Sequence, residues 1–97
     1  MYSKEQILIK LKAIKKELLG NFPISEFGLF GSYADGSFNE HSDIDILIDF
    51  NERIDGFDYI KIAHKLEDNF DKKIDLVSRQ GIKANYIPFV EKNLIHV

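Results

Sequence analysis

The sequence predicts an α/β fold of the α+β kind, a small mixed β-sheet of three to four strands packed by helices, and three patterns carry that prediction. Residues 43–50 alternate strictly. Ile44, Ile46, Ile48 and Phe50 fall on one side, and Asp43, Asp45, Leu47 and Asp49 on the other, which is the period of a strand. Segments 3–19 and 57–70 repeat their apolar residues at helical spacing instead. A further strand-like run, 72–77, follows the second of them, so strands and helices interleave. A chain of 97 residues has room for one domain, 1–97, with one modest core.

Taken in order, Ser3 caps the first helix and Gln6 completes a Ser-x-x-Gln capping box. Ile7, Leu8, Leu11, Ile14, Leu18 and Leu19 make its apolar face, and Gly20 stands where a left-handed residue would close it. Asn21-Phe22-Pro23 is a connector. Residues 25–30 read as a short strand, with Phe27 and Leu29 alternating with Gly28 and Phe30, and Gly31 stops it. The polar stretch 33–42 suits a short helical turn and a returning loop. The strand 43–50 turns its isoleucines to the core. After a polar loop, 51–56, the second helix directs Tyr59 or Ile60, Ala63, Leu66 and Phe70 inward, and the third strand follows at 72–77. Beyond Gly81 the pattern weakens. Pro88 fits the first turn of a last helix carrying Phe89, Val90 and Leu94.

Composition narrows the function. There is no cysteine, hence no disulfide framework and no thiolate metal site. No apolar run is long enough to cross a bilayer and no signal-peptide pattern opens the chain, so a soluble, cytoplasmic protein is expected. The net charge is −3 with both signs interspersed. Lys10, Lys12, Lys15 and Lys16 read as a solvated helix face rather than a groove for a phosphate backbone, so direct nucleic-acid binding is not expected. RNA could still be met through a second subunit.

The chemistry lies in the acidic residues and the turn before them. Asp43 and Asp45, two apart on a strand, are separated by roughly 6.5 Å and point the same way. Bare, they repel and one pKa rises. A divalent cation removes the conflict, and Mg2+ takes oxygen ligands, often one or two carboxylates with waters and substrate phosphates. Two ions in a two-metal arrangement also fit. Asp75, between Ile74 and Leu76, emerges opposite the core. If its strand neighbours that of Asp43 and Asp45, the three acids share a face, with Asp75 as third ligand or as base. Gly31 lets the backbone approach a ligand, and the amides of Gly31, Ser32 and Tyr33 with the Ser32 hydroxyl can open towards phosphate oxygens.

Other candidates weigh less. Asp49 shares the acid face but lies further along the strand, and a solvated or helix-facing role is favoured. His41, His64 and His96 read as surface residues. Arg79 either reaches a phosphate or sits exposed in a loop, and Tyr33 either stacks on a base or packs in the core. A calcium loop is excluded because Ile44, Ile46 and Ile48 occupy positions such a loop keeps polar.

Gly31-Ser32, the spacing to Asp43-Ile44-Asp45-Ile46-Leu47-Ile48, and Ile74-Asp75-Leu76-Val77 together resemble the minimal nucleotidyltransferases of the DNA polymerase β superfamily, over nearly the whole chain. The resemblance implies a polymerase β-like fold, Asp43, Asp45 and Asp75 as catalytic magnesium ligands, Gly31 and Ser32 on a nucleoside triphosphate, and transfer of a nucleoside monophosphate with release of pyrophosphate. Within the superfamily the chain is most similar to the MNT antitoxins encoded beside HEPN ribonuclease toxins. That implies ATP as donor and a tyrosine of a HEPN toxin as acceptor, while the sequence leaves open whether the chain forms a homo- or hetero-oligomer. Many such relatives have a Gly-Ser-x-Ala-Arg-Gly run. Here Gly31-Ser32-Tyr33-Ala34-Asp35-Gly36 puts an anion in the place of the cation. A non-catalytic module that blocks a toxin by stoichiometric contact, and transfer to a small molecule or an RNA end, are the alternatives.

Overall fold

The capping box at Ser3 forms in a computed structural model that describes residues 2–97: Ser3 Oγ accepts the Gln6 amide at 3.1 Å, and Gln6 Oε1 accepts the Ser3 amide at 2.8 Å. It opens α1 (Lys4–Leu19), which buries Ile7, Leu11, Ile14 and Leu18. Leu19 is 49% exposed, because its position falls off the 7–11–14–18 stripe. Gly20 is right-handed (φ −71°, ψ −18°). A left-handed residue is unnecessary there, since the amides of Asn21 and Phe22 both reach back to the Leu18 carbonyl.

β1 (Ile24–Phe30), the single-turn α2 (Ser32–Asp35) and β2 (Ile44–Phe50) come next, each strand within a residue of its expected start. α3 (Gly56–Phe70) is capped by Asp55, whose carboxylate accepts the Asp58 amide at 2.8 Å, and Asp71 closes it in a left-handed conformation. Its inward residues are Ile62, Leu66 and Phe70, with Tyr59 partly buried. Ile60 is 50% exposed, because Tyr59 occupies the stripe and donates its hydroxyl to the Leu76 carbonyl at 2.6 Å. β3 (Ile74–Ser78) is followed by tight turns at Arg79–Gly81 and Ala84–Tyr86, then α4 (Ile87–Glu91) with Pro88 in its first turn, and β4 (Ile95–His96). Leu94 falls after α4 rather than in it.

The sheet runs in the order β3-β2-β1-β4. β2 and β4 are antiparallel to β1, while β3 is parallel to β2 and needs a crossover, which α3 supplies. One face, with Phe27, Leu29, Ile44, Ile46, Ile48 and Ile74, packs on α1 and α3 as the main core. The other is not wholly solvated. Leu47 is fully buried there in a second cluster with Phe30 and Val90, flanked by Val77, Ile82 and Leu94. Thus the C-terminal segment covers part of the face that carries the acids. Among the described residues no helix is long and apolar enough to cross a membrane.

Candidate active site

β2 and β3 pair so that Asp45 stands beside Asp75, just as Ile44 stands beside Ile74 and Ile46 beside Leu76. On the other flank Asp45 pairs with Phe30, the last residue of β1, so Gly31 follows directly at the carboxylate. The order across this end of the sheet is therefore Gly31, Asp45, Asp75.

Gly31 has φ +72° and ψ −152°, a conformation that side chains avoid, and a Cβ built there would collide with the Asp45 carboxylate. Glycine is what lets the turn backbone and that carboxylate touch. The Gly31 carbonyl then accepts the Ala34 and Asp35 amides at 3.0 and 3.1 Å, starting α2. Tyr33 and Ala34 are buried and pin this turn to the core, which leaves Ser32 half-buried at its start. Tyr33 is a core aromatic stacked on Phe38, with ring centroids 4.3 Å apart and planes at 13°, so it is not a free platform for a base.

Asp45 is half-buried and its pKa is pushed up to about 6, first by burial and then by the charges of Asp75 and Asp43. Asp75 is exposed on the edge strand. Asp43 lies one residue before β2, and its carboxylate is 3.7 Å from the Lys73 ammonium. Among the described residues no three acidic or histidine side chains are near enough together to enclose a metal ion. The donor set nonetheless fits magnesium. It consists of carboxylate oxygens alone, one of them half-buried under like charges that a cation would relieve, and this metal completes its shell with water and phosphate.

Asp49 lies on the acid face two pleats away, paired across the sheet with Glu26, and one of its carboxylate oxygens is buried without a protein partner. Arg79 is not a free loop residue. Its guanidinium grips Glu26 with hydrogen bonds of 2.6 and 2.8 Å and approaches Glu91 at 3.5 Å. His96 Nε2 is 2.7 Å from the same Glu26. His64 is exposed, and so is His41, beside Glu40. Asp35 is also exposed, and the Ser37 hydroxyl, followed by the Ser37 amide that it accepts at 2.8 Å, holds its pKa below the usual carboxylate range.

A cavity of about 440 Å³ opens beside Asp45 and Asp75, lined by Phe30, Val77, Gly81, Ile82, Lys83, Tyr86, Phe89 and Val90. Most of these residues come from the region beyond Gly81, where sequence periodicity is weak. The available signal was Tyr86 and Phe89 spaced one turn apart, with Pro88 marking a helix start. A larger cavity, about 790 Å³, lies at the other end of β2 around Asp49, Arg53, Tyr59 and Ser78 and touches none of the three site carboxylates.

The sequence pattern of the nucleotidyltransferase domain matches residues 11–96. The protein adenylyltransferase MntA of Thermococcus cleftensis is 36% identical over 97 residues, which span 100% of this chain and 98% of that protein. A solved structure of a candidate minimal nucleotidyltransferase superposes with a TM-score of 0.84 at 25% identity, over 99% of this chain and 97% of that one. A structure of the tri-AMPylated HEPN toxin of Shewanella oneidensis in complex with MNT antitoxin contains a chain matched with a TM-score of 0.69 at 26% identity, over 92% of this chain and 69% of that one.

Proposed function

Because this chain belongs to the nucleotidyltransferase domain family and has the polymerase β-like fold of the minimal members, we propose that it is a protein adenylyltransferase that transfers AMP from ATP to a tyrosine of a HEPN toxin and so acts as its antitoxin. Residues 1–97 serve as one domain, and the cytoplasm, where ATP is available, is its place of action. The observation that carries this reading is the parallel register that sets Asp45 beside Asp75, with the Gly31 turn against Asp45.

In the proposed reaction the tyrosine oxygen forms a bond to the α-phosphorus of ATP. The bond from that phosphorus to the bridging oxygen breaks, and pyrophosphate leaves with the electron pair. In this reading Asp75, exposed next to Asp45, takes the phenolic proton. Gly31 and Ser32 bind the triphosphate through backbone amides and the Ser32 hydroxyl. Magnesium, held by Asp43, Asp45 and Asp75, would neutralise the phosphate charge. Tyr33 and Ala34 keep the Gly31–Ser32 turn in place by their burial in the core.

The test uses ATP labelled at the α-phosphate, Mg2+ and the HEPN-type protein encoded beside this chain. Wild type should label the partner. The Asp43→Ala/Asp45→Ala variant should bind the partner without labelling or neutralising it. Absence of label with wild type, or full neutralisation by the variant, overturns the proposal, and the second result favours a stoichiometric blocker.

A further inference from the structure

We propose that the cavity walled by Phe30, Val77, Ile82, Tyr86, Phe89 and Val90 is the acceptor subsite, and that Tyr86 and Phe89 select an aromatic hydroxyl side chain of the partner protein. The inference rests on the adenylyl-transfer reading above and assigns a side of the site to each reactant.

Gly31, Asp45 and Asp75 follow one another across the ends of three strands. Displacement at phosphorus is in line, with the attacking and leaving oxygens on opposite sides. The leaving pyrophosphate belongs at the Gly31–Ser32 turn, on the β1 side of Asp45. The attacking oxygen therefore arrives from the β3 side, past Asp75. The cavity is lined by Asp45 and Asp75 but by neither Gly31, Ser32 nor Asp43, which places it on the acceptor's side of the reacting phosphorus.

Its wall then speaks to the acceptor's chemistry. Phe30 and Val90 are each 4% exposed and form a fixed apolar base. Tyr86 and Phe89 are 58% and 61% exposed and meet edge to face, with centroids 6.2 Å apart and planes at 88°. Two large rings left open beside the site carboxylates invite a third. Apart from those carboxylates, Lys83 and the Tyr86 hydroxyl, the lining side chains are hydrocarbon, a poor match for a sugar or an RNA end. A phenol carries its hydroxyl at the far end of a rigid ring and can reach the carboxylates while its ring fills the cavity. Serine keeps its hydroxyl next to the backbone and cannot do both. The phenolic oxygen presented by this wall attacks the α-phosphorus, its proton passes to Asp75, and pyrophosphate leaves with the electron pair of the broken bond.

Phe89→Ala and Tyr86→Ala test it, with Phe89→Trp as the conservative control. Both residues are exposed, so melting temperatures should stay near that of wild type. Each alanine variant should raise the KM for the HEPN partner about tenfold or more, with kcat less affected. Phe89→Trp should restore most of that loss. Binding of a fluorescent ATP analogue with Mg2+ should be unchanged in all three. An unchanged partner KM with wild-type transfer intact overturns the subsite alone. Weakened ATP-analogue binding with an unchanged partner KM overturns it in favour of a nucleobase pocket. Failure of wild type to transfer label overturns the adenylyl-transfer reading, and this inference with it.

Discussion

Asp45 and Glu26 lie on the same face of the sheet, on neighbouring strands, and their carboxylates keep opposite company. Glu26 receives two hydrogen bonds from the Arg79 guanidinium and one from His96, which hold its pKa down to about 2 against the cost of its burial. Asp45 has burial without a cation, and Asp75 and Asp43 add like charge, so its pKa rises to about 6. The first region is neutralised from within the chain and contributes to stability. The second retains an excess of negative charge that costs stability, the arrangement expected where a bound cation or substrate is to supply the balance.

The largest effect should come from Asp45→Asn. Removing the charge while keeping the shape should lower transfer by about 10²–10³-fold or more. It should leave stability equal or slightly raised, because it relieves repulsion. Steady-state kinetics and urea unfolding on the same protein check both signs, and a marked loss of stability would break the contrast with Glu26.

Arg79→Ala should do the reverse. It leaves Glu26, whose side chain is 17% exposed, without its bidentate partner, at a cost of about 1–3 kcal/mol in urea unfolding. Arg79→Lys should recover only part of that, since an ammonium lacks the planar fork.

The smallest effect is in the pH dependence. Between its ordinary 3.8 and about 6, Asp45 keeps a proton in the native state that the unfolded chain has released, so its contribution to stability falls as pH rises through that window. Glu26 acts in the opposite sense. From about 2 to 4.5 the unfolded chain holds the proton and the native state does not, so stability rises with pH and is lost on acidification towards 2. Solvent screening reduces the Asp45 limb to something on the order of 1 kcal/mol. Asp45→Asn should flatten the upper limb and Arg79→Ala the lower one, as read from denaturation midpoints across pH.

How much of this was legible in the sequence differs along the chain. Alternation in residues 43–50 and around Asp75 fixed which side chains leave the core, because a strand's period is two and its neighbours are local. It could not say that β3 lies against β2, since pairing is a long-range choice, nor that Asp43 approaches Lys73. Leu47 shows the same limit. Its place on the acid face was readable, but its burial was not, because Phe30 and Val90 cover it from elsewhere in the chain. Arg79 stood in a loop with no periodicity to orient it, and its partner Glu26 is 53 residues away. Two-residue β4 is too short to carry a pattern at all.

The in-step alignment of β3 with β2 has one further consequence. Sliding that border strand by a single residue would turn Asp75 inward and take Ile74 and Leu76 out of the main core, so the same error would spoil the reaction centre and the oily interior at once. One register therefore serves both the core and the carboxylates, and neither can be set without the other.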